Sequence, residues 1–182
     1  EFQSCDPGIG NLQTAREEFR PEMECRWRVT APSDIGGFDE REESLNLYLE
    51  YDSILRTQNP LEIQFQPLSE INSTSTASFN DDNGEISVSL ETESPVPTER
   101  TRTLDITANS VADGRIDGNY RFEFTPESIV QNCDDDVEGS DSVEKKPVVD
   151  NEVELTCELY SENPNNRQLY VSTYYKYIKE PS

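Results

Sequence analysis

Residues 24–32 read ECRWRVTAP and hold the only tryptophan of the chain. Trp27 lies two residues after Cys25, and Arg26 and Arg28 flank it. Successive side chains of a β-strand point to opposite faces, so Cys25 and Trp27 share one face and the arginines share the other. We therefore predict a strand that buries Trp27 beside a disulfide and turns both arginines toward carboxylates of neighbouring strands.

The same alternation recurs along the whole chain. Apolar side chains take every second position within 45–51, 61–65, 86–90, 104–108, 120–124 and 153–159, and the stretch 169–178 is rich in Tyr, Val and Thr. Segments with turn-forming residues separate these runs, among them ADGRIDGN with Gly114, and FNDDNGEI indicates a hairpin with Asn83-Gly84 at its turn. The sequence thus predicts an all-β fold, an antiparallel β-sandwich.

Charge narrows the classes of partner. The chain has 182 residues, with 38 Asp or Glu against 15 Lys or Arg, and a formal net charge of −23. Nucleic acid and anionic membrane surfaces are poor partners for such a chain, because both require basic residues. No run of about 18 apolar residues suggests a membrane span. Divalent cations and basic proteins remain open, and an acidic surface that only provides solubility is the simpler interpretation.

The cysteines favour an oxidising compartment. Cys5, Cys25, Cys133 and Cys157 form two pairs that are close in sequence, and the chain has no histidine and no CxxC motif for a zinc site. Among the possible pairings, proximity selects Cys5–Cys25 and Cys133–Cys157, each worth about 3 kcal/mol by loop entropy. Asn72 starts an Asn-Ser-Thr acceptor for N-glycosylation. Together these features predict a secreted, extracellular glycoprotein.

The domain organisation follows from a break in the alternation. Residues 127–151 are acidic and largely non-periodic, which predicts a linker or long loop. The sandwich is therefore expected to span 1–126. Residues 152–182 are expected to form an extra C-terminal strand pair that packs on the sandwich or on a partner.

The opening motif resembles a known family. The pattern Cys-x-Trp-x-Val-x-Ala-Pro at 25–32, with Cys5 about twenty residues earlier, resembles the start of a CUB domain, a jelly-roll-type β-sandwich. The resemblance covers about 5–126, with LNLYLEYDSIL similar to the strand after the opening turn and DGNYRFEF similar to the closing strand. It implies extracellular protein recognition and no catalysis.

The chain also departs from that family. The family's second disulfide lies inside the domain, whereas no cysteine lies between Cys25 and Cys133. Residues 127 onward have no counterpart. Many CUB domains bind calcium through one Glu and two Asp, and the aligned positions here are Leu55, Asn59 and Asn109. The resemblance thus implies that this calcium site is absent, unless a shifted alignment brings Glu50 or Asp52 into place.

Enzyme chemistry has little support in the sequence. Without histidine, serine–histidine and cysteine–histidine nucleophile pairs are excluded. No glycine-rich phosphate-binding motif occurs. Two carboxylates suffice for a glycosidase, but a pair carries no information in a chain with 38 acidic residues. We predict that the protein is not an enzyme, and an acid-pair hydrolase is only a third hypothesis.

One acidic loop is the candidate metal site. Asp134, Asp136 and Glu138 alternate in DDDVEGSD and precede Gly139, as in the first half of a calcium loop. The twelfth position of such a loop, which normally carries a bidentate Glu, is Lys145. A solvated acidic loop is the alternative interpretation. No cofactor is expected, with calcium at this loop as the only candidate.

The C-terminal tyrosines are the candidate partner surface. In YVSTYYKYIK, Tyr170 and Tyr174 share one face of a strand, and Tyr175 and Tyr177 share the other. Tyrosine suits interfaces that have one wet edge, but these rings could equally pack on their own sandwich.

Two functional hypotheses follow. The first is a secreted, CUB-like module, non-catalytic, that binds an extracellular protein or self-associates in an assembly. The alternative is an acidic extracellular matrix protein that binds calcium or a mineral surface.

Overall fold

The computed structural model describes residues 2–6, 24–28, 48–134, 142–147 and 151–179, with backbone alone at 2–6, 24–27 and 49. The chain divides into two compact units, Glu1–Leu45 and Asn46–Ser182. The predicted sandwich lies in the second unit. The tryptophan motif that suggested the fold lies in the first.

The described part of the first unit, residues 2–6 and 24–28, forms an antiparallel strand pair. Strand β1 (Phe2–Asp6) pairs with β2 (Glu24–Trp27), and the register sets Cys5 directly opposite Cys25. Opposed Cα atoms in such a pair are about 4.5–5.5 Å apart, which suits a disulfide. The Cys5–Cys25 bond and the burial of Trp27 concern side chains outside the described part, so both stay predictions.

The second unit is an all-β sandwich of two sheets, which confirms the predicted fold class, and its strand pairs are antiparallel except for one short parallel pair. Its strands are β3 (Leu49–Arg56), β4 (Leu61–Gln66), β5 (Ser75–Asp82), β6 (Ile86–Ser94), β7 (Val96–Pro97), β8 (Arg102–Ser110), β9 (Gly114–Thr125), β10 (Val130–Gln131), β11 (Val143–Lys145), β12 (Val153–Leu159) and β13 (Asn165–Lys179). Sheet A has the strand order β10-β12-β8-β6-β5, and sheet B has the order β11-β9-β13-β4-β7, with β3 also paired to β13. Two short 3-10 helices, Leu68–Glu70 and Glu127–Ile129, complete the described elements.

The core forms where the alternating apolar faces of the two sheets meet. In β4, β6, β8 and β12 every second side chain is buried, as the alternation predicts. The largest fully buried side chains come from both sheets and include Phe65, Ile86, Leu90, Leu104, Ile106, Tyr120, Phe122, Leu155, Leu159 and Tyr177.

The predicted β5–β6 hairpin is confirmed. Gly84 takes φ 80°, the left-handed conformation that this turn requires. The Asn83 backbone N–H donates to the Ile86 carbonyl at 3.2 Å. The Asn83 side-chain oxygen accepts from the backbone N–H groups of Glu85 and Ile86, at 3.1 Å each. The Asn side chain therefore fixes both the turn and the position of Glu85.

The C-terminal strands differ from the expectation of an appended pair. Strand β12 lies inside sheet A between β8 and β10, and β13 lies inside sheet B between β9 and the β3 and β4 strands. They do not pair with each other, because the loop between them crosses from one sheet to the other. Strand β9, expected to close the domain, is an interior strand. Position 126 is therefore not a boundary, and the compact unit continues to Ser182.

The predicted linker 127–151 also contributes to the sandwich. Strand β10 pairs with β12, and β11 pairs with β9. Ile129 and Val143 are both buried, at 3% and 5% exposure. These apolar side chains anchor short segments that are too brief to show a period in the sequence. Residues 135–141 of the acidic loop lie outside the described part.

Candidate functional site

In strand β13 the C-terminal tyrosines point to two opposite faces, as the alternation of side chains along a strand predicts. Tyr175 and Tyr177 point inward and are 4% and 1% exposed, whereas Tyr170 points outward and is 37% exposed. Tyr174 is half-buried on the outer face. Own-core packing is therefore correct for Tyr175 and Tyr177, and these two residues are removed from the candidate partner surface. Tyr170 and Tyr174 remain in it.

A half-buried carboxylate joins the inward tyrosines to the opposite sheet. Glu85, at the tip of the β5–β6 hairpin, accepts hydrogen bonds from the hydroxyls of Tyr51 at 2.6 Å and Tyr175 at 2.7 Å. The Ser53 hydroxyl donates to the same carboxylate at 3.0 Å. The Asn83 side-chain amide donates to the Tyr175 hydroxyl at 2.6 Å. We call Tyr51, Tyr120, Tyr175, Tyr177 and Glu85 the tyrosine cluster.

The environment of the tyrosine cluster keeps its phenols neutral. Burial raises the pKa of Tyr51 above its ordinary value, and the hydrogen bond and charge of Glu85 raise it further. Burial likewise raises the pKa of Tyr120 and of Tyr175. The Tyr120 hydroxyl donates to the Asn151 carbonyl at 2.8 Å. These groups act as fixed hydrogen-bond donors that hold the two sheets together.

Tyr177 differs from the rest of the cluster. Its buried hydroxyl has no partner with hydrogen-bond geometry in the described part of the chain. Burial raises its pKa, and the nearby Gly114 backbone and Ser110 hydroxyl offset part of that rise. A Cβ atom on Gly114 would overlap the Tyr177 ring, so β9 needs a glycine for this close approach. The sequence suggested only a turn at this glycine.

The outer face of sheet B carries an ordered aromatic and charged group. Tyr174 lies in register with Ile54 of β3 and Arg121 of β9. The Arg121 guanidinium carbon lies 4.2 Å from the centre of the Tyr174 ring, within cation–π range. The Tyr174 hydroxyl donates to Glu123 at 2.9 Å, and Arg121 pairs with Glu123 at 3.3 Å. We call the outward side chains around this group the aromatic face: Glu50, Asp52, Ile54, Arg56, Arg121, Glu123, Thr125, Tyr170, Ser172, Tyr174 and Lys176.

Within the aromatic face, Tyr174 and Arg121 are held in place before any partner arrives. Each makes two contacts within the group, so their rotamers are restricted in the free protein. Lys176 forms a peripheral ion pair with Glu50 at 2.8 Å. Exposed ion pairs of this kind add little stability, so this pair is a polar rim. The arrangement is an aromatic and arginine centre with charged surroundings.

The outer face of sheet A is different. Its outward side chains form what we call the acidic face: Thr76, Ser78, Asn80, Asp82, Ser87, Ser89, Glu91, Glu93, Thr103, Asp105, Thr107, Asn109, Glu154, Thr156 and Glu158. Glu91 lies directly opposite Asp105. Glu93 pairs with Arg102 at 2.9 Å at the margin of this face. A shallow, open depression there is lined by Thr76, Glu91, Thr92, Glu93, Arg102, Thr103 and Asp105.

The second predicted disulfide is confirmed. Cys133 and Cys157 are bonded, with their Cα atoms 3.9 Å apart. The Asp134 backbone N–H donates to the Thr156 carbonyl at 2.8 Å beside the bond. The disulfide therefore fastens the segment after β10 to β12 inside sheet A.

The predicted glycosylation acceptor lies on the surface. Asn72 is exposed between the 3-10 helix Leu68–Glu70 and β5. Its side-chain amide makes one long hydrogen bond, 3.4 Å, to the Glu70 carbonyl. The side chain is therefore accessible for modification. Glycosylation itself stays a prediction.

The metal predictions are only partly covered by the structure. Asp134 is exposed, while Asp136 and Glu138 lie outside the described residues. Within the described ranges, no group of three His, Cys, Asp or Glu side chains is arranged to hold a metal ion. Of the positions aligned with the CUB calcium site, Leu55 is buried in the core at 4% exposure.

Comparisons with known proteins found no match. No known protein family, no curated protein and no solved structure matches the chain. Among the described residues, no helix is long and apolar enough to cross a membrane. The CUB resemblance therefore stays a prediction that rests on 25–32, a stretch that belongs to the first unit.

Proposed function

We propose that this protein is a non-catalytic recognition module of an extracellular assembly, and that it binds another protein through the aromatic face. The observation that carries the proposal is the group of Tyr174, Arg121 and Glu123. Tyrosine and arginine are the residue types that dominate the energetics of protein interfaces. The group is half-exposed on a rigid sheet in a chain with only 15 basic residues.

The preorganisation of the group supports a binding role. Ordering a side chain at an interface costs about 0.5–1.5 kcal/mol. Tyr174 and Arg121 are already ordered in the free protein by their contact with each other and by their bonds to Glu123, so binding need not order them again. Ile54 supplies an apolar neighbour, and Tyr170 extends the aromatic surface along β13.

An extracellular location is part of the proposal. The Cys133–Cys157 bond is typical of an oxidising compartment. The exposed Asn72 acceptor agrees with it. A non-catalytic role is supported by the tyrosine cluster, since its Glu85 carboxylate is fully engaged by hydroxyl donors that join the sheets. The CUB-like interpretation of 25–32 would place the module among extracellular recognition domains.

Binder selection tests the proposal without a known partner. A displayed random peptide library is selected against the whole chain, and each clone is then measured against Tyr174→Ala. We expect most independent clones to lose about 30-fold in affinity, as expected for a hot spot of about 2 kcal/mol. Thr107→Ala, at a half-buried outward position of β8 on the acidic face, is the matched control. Clones that bind Tyr174→Ala as tightly as the wild type would contradict the proposal.

The alternative, an acidic matrix protein that binds calcium or mineral, has its own test. Its support is the net charge of −23 and the loop that contains Asp134, Asp136 and Glu138. Calorimetric titration of the whole chain with calcium separates the two functions. Many weak sites, or one site lost in Asp136→Asn, would favour calcium binding as the principal role.

A further inference from the structure

Edge strands are the places where a sandwich can accept another chain. In the described part of the sandwich, strands β3, β5, β7, β10 and β11 each have one side without a strand partner. Proteins usually protect such edges by shortness, proline or charge. Strands β7, β10 and β11 have only two, two and three residues, and β7 ends in Pro97. These three edges are protected.

The two long edges differ from each other. Strand β3 has eight residues, and its outward positions include the charged Glu50, Asp52 and Arg56. Strand β5 also has eight residues and pairs with β6 in an unbroken register from Ser75 to Asp82. Its outward positions are uncharged except for the last one. It contains neither proline nor lysine, and its only charges are Asp81, on the inward side, and Asp82 at its end, so residues 75–80 lack the protection that the other edges have.

The inward side of β5 is incompletely covered. Ala77 and Phe79 pack against the core but are only half-buried. An added strand with apolar side chains at alternate positions would cover them and extend the core by one row. The unpaired backbone of β5 and the half-buried Ala77 and Phe79 therefore both suit strand addition.

Charge defines the chemistry of the incoming strand. Glu91 lies in register with Ser78 of β5 on one side and directly opposite Asp105 on the other. Like charges in this position repel, and Glu91 makes no ion pair with any described residue. A residue of an added strand opposite Ser78 would lie about 10 Å from Glu91, two strand spacings, which a lysine or arginine side chain can span.

We propose that the free edge of β5 receives an extended strand from another protein, in which apolar side chains alternate with basic ones. Main-chain hydrogen bonds to β5 supply affinity. The apolar side chains pack on Ala77 and Phe79, and the basic side chains pair with Glu91 and other carboxylates of the acidic face. A second copy of the chain fits poorly, because each copy carries a net charge of −23 and β5 ends in Asp81-Asp82. This site is separate from the aromatic face.

The probe is a capped peptide of about eight residues that alternates lysine with valine. Its control has the same composition with the lysines in one block. We measure binding to the whole chain by fluorescence anisotropy at physiological ionic strength, and we follow β5 amide exchange by NMR. We expect the alternating peptide to bind about tenfold more tightly than the control and to slow exchange in β5. We expect Ser78→Lys to weaken binding about tenfold by charge repulsion, and Ser172→Lys on the aromatic face to leave it unchanged.

Each other outcome overturns the proposal. Equal affinity for both peptides would show that the acidic surface attracts any cation. Unchanged β5 exchange on binding would place the peptide elsewhere, and this readout does not depend on any variant. Self-association of the chain that Ser78→Lys abolishes would assign the edge to a second copy. Tyr174→Ala has no effect on this peptide if the two sites are separate, so failure here leaves the aromatic face untouched.

Discussion

The two outer faces of the sandwich cover the same core with different chemistry. The acidic face of sheet A presents Ser, Thr, Asn and carboxylates, whereas the aromatic face of sheet B presents Tyr174, Arg121 and Ile54 within a charged rim. The inner faces of both sheets are alternating apolar rows. Stability alone therefore explains the inner positions of both sheets, and only the outer positions differ in a way that stability does not require.

This difference shows where functional information lies in such a chain. A strand's inward residues serve burial, and on sheet B they also supply the hydroxyl groups of the tyrosine cluster, which stabilise the contact between the sheets. Outward residues need only be soluble, which the acidic face achieves with short polar and acidic side chains. A half-exposed tyrosine that is stacked by arginine and bonded to glutamate exceeds that requirement, so the aromatic face is where a binding function is expected.

The largest expected effect concerns the interior that both faces share. Burial raises the pKa of Tyr120 and Tyr175, so folding favours their neutral forms. Their contribution to stability is complete below pH about 10, the unfolded value, and is lost as the pH rises toward the folded value. Between pH 10 and 12 we expect the free energy of unfolding to fall by several kcal/mol, about 1.4 kcal/mol per pH unit for each tyrosine.

Urea unfolding at several alkaline pH values, with tyrosinate absorbance recorded in parallel, measures this loss. Tyr175→Phe is the control, because removing one buried phenol should make the decline with pH shallower. A decline that is as steep in Tyr175→Phe as in the wild type would show that the tyrosine cluster does not cause it.

The next effect tests how sheet A is held. Replacing both Cys133 and Cys157 by serine removes a crosslink that closes a loop of 24 residues. We expect a loss of about 3 kcal/mol in the free energy of unfolding. In hydrogen exchange, the loss of protection should concentrate in β10 and β12. Equal loss of protection in sheet B would mean that the two sheets unfold as one unit, which would weaken the distinction between them.

A paired substitution in the tyrosine cluster comes third. Tyr175→Phe removes one of the three hydroxyl donors to Glu85 and the hydroxyl that accepts from the Asn83 amide, and should cost about 1–3 kcal/mol. Tyr177→Phe removes a buried hydroxyl that has no hydrogen-bond partner among the described residues, and should be neutral or slightly stabilising. Both changes delete one oxygen atom, so each controls for the other in thermal or urea unfolding. Equal losses would mean that Tyr177 has a hydrogen-bond partner.

Sequence alternation predicted much of this fold, for a clear reason. Burial of one face of a strand leaves an apolar residue at every second position, which is visible in the sequence. This alternation located the strands around 61–65, 86–90, 104–108, 120–124, 153–159 and 169–178. It also separated Tyr170 and Tyr174 on one face from Tyr175 and Tyr177 on the other. Alternation does not say which strands are neighbours. The C-terminal strands were therefore taken for a pair, although each lies within a different sheet.

The parts that sequence could not supply are short or non-local. Strands β7, β10 and β11 are too short to show a period. Glu85 follows a turn glycine and gave no local sign that it would meet Tyr51 and Tyr175, which lie 34 and 90 residues away. The contact of Arg121 with Tyr174 likewise depends on the pairing of β9 with β13. Gly114 was a signal of close packing that we interpreted only as a turn.

The smallest expected effect compares the two faces directly with one type of substitution. Glu91 faces Asp105 and forms no ion pair with any residue that the structure describes, so Glu91→Gln should stabilise the protein by about 0.5 kcal/mol. Glu123 receives the Tyr174 hydroxyl and pairs with Arg121, so Glu123→Gln should destabilise by about 0.5 kcal/mol. Both differences should shrink when salt is raised from low to high, because exposed charges are screened. Urea unfolding at two salt concentrations measures all four values. Opposite signs that converge in salt would confirm that Glu91 and Asp105 on sheet A repel each other, while Glu123 on sheet B positions the aromatic face. If both variants stabilise the protein, Glu123 has no such role, and the ordered group that distinguishes the aromatic face is held by the cation–π contact alone.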